Sequence, residues 1–190
     1  EDKTNNAVNS EIGAVTTMAA GWEELSFDFT SDDSGKFDKI ILFFELNTNT
    51  TETYYIDDFA LYGNGGGGGA MCTAETSESL AATDFNLSFQ NDPGASVASF
   101  DAALSTVDNP DFDNMVNSSC KVGQIDRAGG ALFANNQIDF DAKFDFNANA
   151  GFKMKVWSPT AGTNVLVKLE DKTNNTINTE IAAVTTMAGA

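Results

Sequence analysis

The sequence predicts an all-β fold, a two-sheet antiparallel β-sandwich of the jelly-roll kind. Three observations carry that prediction. Short runs alternate apolar and polar residues with the period of two that a half-buried strand requires. Clusters of Asn, Asp, Pro, Gly and Ser punctuate these runs at intervals too short for long helices. Fifteen Phe among 190 residues supply the bulk of a core, which a disordered acidic chain lacks.

The elements follow in chain order. Residues 1–21 (EDKTNNAVNSEIGAVTTMAAG) recur as residues 170–190 (EDKTNNTINTEIAAVTTMAGA), identical at 15 of 21 positions. A match of this length at a spacing of 169 residues marks a tandem repeat, cut so that the chain starts inside one copy and stops inside the next. The opening at Glu1, with no signal peptide, fits a piece of a longer protein. WEELSFDF (22–29) puts Leu25, Phe27 and Phe29 on one face and Glu24, Ser26 and Asp28 on the other. KIILFFEL (39–46) is apolar on both faces, as a central strand is. YYIDDFALY (54–62), FKMKVWS (152–158) and NVLVKLED (164–171) are further strands, and DAALSTV (101–107) is the best short helix candidate. Turns are expected at 91–94, 147–151 and 158–162.

The glycine run at 63–70 reads as a linker, since no basic residue follows it until Lys121 and a phosphate-binding loop needs one. It divides the chain into residues 1–62, the C-terminal half of one repeat, and residues 71–190, the N-terminal half of the next. The expected outcome is completion of each sandwich by a neighbouring copy, because two identical edge strands compete for one place.

Charge and composition exclude several functions. With no histidine there is no Ser-His-Asp or Cys-His nucleophile, no HExxH zinc site and no His-ligated haem. A net charge of −18 with Arg127 as the only arginine argues against nucleic acid. No apolar run reaches the roughly 18 residues of a membrane helix, so no membrane insertion is expected. Catalysis would rest on paired carboxylates alone, and 28 acids give no specific pair, so a non-enzyme is expected.

Read across the linker, DFNLSFQNDPG, FKMKVWSPTAGTNVLVKLEDKTNN, AVTTMAAGWEELSFDFT, KIILFFELN and YYIDDFALYG resemble the jelly-roll, galactose-binding-like modules of carbohydrate-binding type found in marine bacterial secreted and surface proteins. The halves stand in rotated order, the first at 83–190 and the second at 1–62. The resemblance implies non-catalytic glycan binding for attachment or adhesion, an extracellular or cell-surface location, and often a structural calcium. A different class also fits: a structural subunit of an extracellular filament, joined by strand exchange between repeats.

The resemblance places calcium at Asp57 and Asp58 with Gln90, Asn91 and Asp92, which together offer the oxygens such an ion takes. Gln90 departs from the Glu usual there. The plain alternative is one solvated Asp and one turn cap. For a glycan, Trp157 stands off the core parity beside Lys153 and Lys155, with Trp22, Arg127 and Phe133 as further contacts. Flat aromatics stack on sugar CH faces while polar side chains take the hydroxyls. Both Trp residues also fit a role covering the sandwich edges, the simpler one for Trp22. A surface this acidic favours a neutral polysaccharide. Cys72 and Cys120 permit a disulfide in an oxidising setting, worth about 4 kcal/mol in the chain-entropy model, and no base sits near either to activate a thiol.

Overall fold

The computed structural model describes residues 16–62, 78–112, 116–182 and 184–185. Twelve strands are formed among them. The first group is β1 (Gly21–Asp28), β2 (Lys39–Phe44), β3 (Thr53–Tyr62) and β4 (Asn86–Leu87). Next come β5 (Ala98–Phe100), β6 (Ala102–Asp108), β7 (Lys121–Arg127) and β8 (Asn135–Asp139). The last four are β9 (Gly151–Ser158), β10 (Val165–Asp171), β11 (Asn174–Ala182) and β12 (Val184–Thr185). One sheet runs β12-β1-β9-β3-β7-β6, with β4 on β3; the other runs β11-β10-β2-β8-β5. Every pairing is antiparallel, and the two sheets enclose one core.

The alternation of each strand sets which side enters that core. Leu25 and Phe27 of β1, Phe152, Met154 and Val156 of β9, and Val165, Val167 and Leu169 of β10 are all fully buried. On β2, Ile40, Leu42 and Phe44 face the core, while Ile41 and Phe43 are buried on the reverse side between residues of β10 and β8. The Phe residues cluster. Phe152 meets Phe29, Phe59, Phe85, Phe144 and Phe146 at centroid separations of 5.1 to 6.1 Å, four of these edge to face. A stacked pair, Phe44 on β2 and Tyr54 on β3 at 4.6 Å, joins the sheets at another point. The phenol of Tyr54 donates to Glu52, and burial, then that bond, pushes its pKa up, so it stays protonated.

Two expectations are corrected here. Residues 101–107 do not form a helix: β6 pairs along its whole length with β7, and its Leu104, Thr106 and Val107 suit a sheet better than an isolated turn of helix. The sandwich also closes within one chain. β9 lies between β1 and β3, β2 lies between β10 and β8, and Phe59 packs on Phe152 of the same chain. Both edges of β9 are therefore satisfied at the cost of closing a loop, which grows only slowly with loop length and spares the entropy of association. Strands from residues 1–62 and from residues 78–185 interleave in both sheets, and the linker expected at 63–70 lies outside the described residues.

The repeated segment marks one edge. Its second copy supplies β11 on β10 and then crosses to the other sheet as β12 on β1. At the opposite edge β5 and β6 make the same crossing, turning at Asp101. Residues 16–20, the described end of the first copy before β1, form no strand: the Thr16 N–H donates to the Thr163 carbonyl at 2.9 Å, and the Ala20 N–H donates to that of Ser158 at 2.8 Å. Residues 1–15 and Cys72 lie outside the described residues, whereas Cys120 is disulfide-bonded.

Two outcomes follow. Phe152→Ala empties the centre of the aromatic cluster and is expected to cost about 3–5 kcal/mol in urea unfolding. Asp171, where β10 turns into β11, accepts from Lys143 Nζ at 2.7 Å and from the hydroxyl and N–H of Thr173. Those bonds, the one from Lys143 first, hold its carboxyl well below the ordinary range. The stabilisation is therefore full above about pH 4 and is lost as pH falls through the lowered folded value. Asp171→Asn should lower the melting midpoint at neutral pH and leave it less sensitive to acid below pH 4.

Candidate functional site

Directly opposed residues in an antiparallel ladder share a face. On the outward face of the larger sheet that rule lines up Trp22, Trp157, Tyr55, Gln124 and Ser105 across β1, β9, β3, β7 and β6. Trp157 and Tyr55 are both half-buried, with ring centroids 5.3 Å apart and planes at 78°. Beside Tyr55, Asp126 accepts from Thr53 Oγ1 at 2.7 Å and from Gln124 Nε2 at 2.8 Å. Along the same face Lys155 pairs with Asp58 at 2.7 Å and Lys153 with Glu24 at 3.5 Å. The result is an aromatic pair in a polar surround whose cations are matched by carboxylates.

The sequence-predicted glycan residues divide on this geometry. Trp157, Lys153 and Lys155 share the outward face as expected. Trp22 shares the row but is 0% exposed, and its indole N–H donates to Asn109 Oδ1 at 3.2 Å. Asn109 is itself buried and tied by Nδ2 to the carbonyls of Asn117 and Ser119, so the segment after β6 takes the place a sugar would need. Trp22 is thus corrected to a covering residue.

Arg127 is corrected as well. It is 2% exposed, and its guanidinium donates to the carbonyls of Thr50, Glu45, Thr48 and Ala131. Planar forked donors suit such a carbonyl cage, and here they fasten the loops after β2 and β7. Phe133 is 65% exposed but sits in the loop entering β8 of the other sheet, which also carries Phe100 across from Asn135. It belongs to a different surface from the Trp157 row by its place in the topology.

Tyr55 is the residue that the sequence reading missed. The signal was present in YYIDDF: taking Ile56 as inward turns Tyr55 outward with Asp57.

The expected calcium ligands are placed for other work. β3 pairs with β7 as far as Ile56 and with β4 from Phe59, and a bulge at Asp57–Asp58 makes the switch. Asp58 takes a positive φ there, and its N–H donates to Asp57 Oδ1 at 2.8 Å. Asp92 Oδ1 accepts from the Gly94 N–H at 2.9 Å, closing the 91–94 turn, while Gln90 is exposed. Asn91 bonds to Glu78, whose carboxyl burial pushes up against the effect of those bonds. Among the described residues no three acidic side chains gather to hold a metal, so Asp57, Asp58 and Asp92 form no such group.

No family model, no curated protein and no solved structure matches the chain. The chemistry of the site therefore rests on its own residues. Because Arg127 holds carbonyls rather than ligand, Arg127→Lys is expected to cost about 2 kcal/mol or more in denaturant unfolding. Its surface contacts, and any ligand retention, should be unchanged.

Proposed function

We propose that this chain is a non-catalytic extracellular module of carbohydrate-binding type, which holds a neutral polysaccharide on the outward face of its larger sheet. The observation that carries the reading is the Trp157–Tyr55 pair, half-buried and edge to face on an otherwise polar sheet surface. An indole fixed from one side by a neighbouring ring keeps its orientation, so stacking a sugar on it costs little side-chain entropy. Gln124, Ser105 and Asp126 stand next to the pair with the hydrogen-bonding groups that hydroxyls need. The acid excess of the chain repels sulfated or uronic polymers and leaves neutral ones as ligands.

Affinity electrophoresis through gels cast with neutral β-glucans tests this. Retardation is expected for the native chain and should vanish in Trp157→Ala, with the melting midpoint moved by no more than a few degrees. Retardation that survives Trp157→Ala would move the site elsewhere. The doubled edge sequence favours a second reading, a subunit of an extracellular filament whose copies trade that strand. Concentration-dependent polymers in sedimentation would place that reading ahead of the first.

A further inference from the structure

The edge formed by β11 and β12 is matched in sequence by two segments of the chain, and residues 174–185 form it. Residues 5–16 correspond position by position to residues 174–185. Glu180, Ile181 and Asn178 stand opposite Lys168, Val167 and Glu170 of β10, and the first copy offers Glu11, Ile12 and Asn9 for those places. Val184 and Thr185 stand opposite Ser26 and Leu25 of β1, and the first copy offers Val15 and Thr16. At the remaining paired positions Ser10 stands for Thr179 and Gly13 for Ala182, both small changes, while Asn5 repeats Asn174.

The register supplies a second, independent argument. Residues 17–20 lead from the first copy straight into β1. If they doubled back as a hairpin turning at Ala20-Gly21, Val15 would fall opposite Ser26 and Thr16 opposite Leu25. Those are the places that Val184 and Thr185 hold. Two-residue hairpin turns need positive φ at their central residues, and Ala20 already has φ 53°, with glycine next. The second copy thus sits on β1 in the register a simple hairpin would give the first. What holds the described end of the first copy away is a small set of bonds: Thr16 with Thr163, and the N–H groups of Thr17 and Met18 to the Glu23 carboxylate at 2.7 to 3.0 Å.

We propose that residues 5–16 of the same chain are an alternative occupant of the edge slot on β10 and β1. The chain then has two states with nearly the same ladder, differing in which copy is bound and which is released. Because the pairing residues are nearly the same, the balance is set by the connecting segments and is open to shift by small changes. When the first copy is bound, residues 174–190 are free of the sandwich.

Cross-linking in the full-length chain tests this. Ser26→Cys is combined with Val184→Cys or with Val15→Cys, oxidised gently, digested and read by mass spectrometry, which separates the new bond from that of Cys120. The 26–184 bond is expected in the first variant, and a 26–15 bond within one chain in the second. Adding Ile181→Pro to the second variant removes a ladder N–H from the second copy. That should raise the 26–15 bond several-fold, while far-ultraviolet dichroism and a cooperative melt persist. Adding Ile12→Pro instead should abolish the 26–15 bond and leave the melt unchanged. The proposal fails if no 26–15 bond forms with Ile181→Pro present, or if that substitution unfolds the chain. It also fails if the bond appears only between chains on non-reducing gels, which would give the slot to a second molecule. Retention on a glucan gel does not depend on either outcome.

Discussion

The ring of Phe152 is the point on which the sandwich depends. It is fully buried on β9 and touches five rings from four other segments: Phe29 after β1, Phe59 of β3, Phe85 before β4, and Phe144 and Phe146 after β8. Such a cluster fixes the register of β9, since a slip of one residue would turn Phe152, Met154 and Val156 outward and bury Lys153 and Lys155. Gly151 makes the same demand from the backbone, because a Cβ there would lie 2.0 Å from the Phe27 carbonyl oxygen. The outward display of Trp157 is therefore a consequence of the core. Trp157 lies five residues beyond Phe152, an odd offset, and so takes the opposite face.

The edges of the sandwich obey a second constraint. A sheet edge left bare invites pairing with other chains, and short or covered edges avoid it. Here both edges are made by segments that pass from one sheet to the other, residues 98–108 at one side and residues 174–185 at the other. The two crossings tie the sheets to each other at both sides of the sandwich. Every interior strand of both sheets thereby finds two neighbours.

Much of the fold was legible because parity is a local property. The alternation in WEELSFDF names the core residues of β1, that in FKMKVWS sets Trp157 off the core parity of β9, NVLVKLED reads as a strand, and the two-sided apolar run KIILFFEL names an interior strand. The misses share a physical cause. Parity says which face a residue takes, not what lies over that face, so Trp22 and Trp157 looked alike until Asn109 was seen against one of them. Arg127 looked like a ligand contact because its partners are carbonyls of other loops, and backbone carbonyls leave no trace in a sequence. The backbone role of Asp57 was not legible either: where β3 changes partners, its Oδ1 takes the N–H of Asp58. Residues 101–107 were short and poor in turn formers, and only their pairing with β7 decides their state.

The ion pairs on the outward face have a consequence for the medium in which the protein works. Lys155 and Lys153 are each held by a carboxylate, Asp58 and Glu24, so the cations around Trp157 are neutralised within the patch, and Asp126 beside Tyr55 adds one carboxylate. A neutral ligand landing there displaces water and no small ions. Dissolved sodium chloride then has little to act on, since the salt dependence of binding arises from counterions set free. Attachment through this face would hold as firmly in brine as in dilute buffer, while the acidic remainder of the surface keeps one molecule from another.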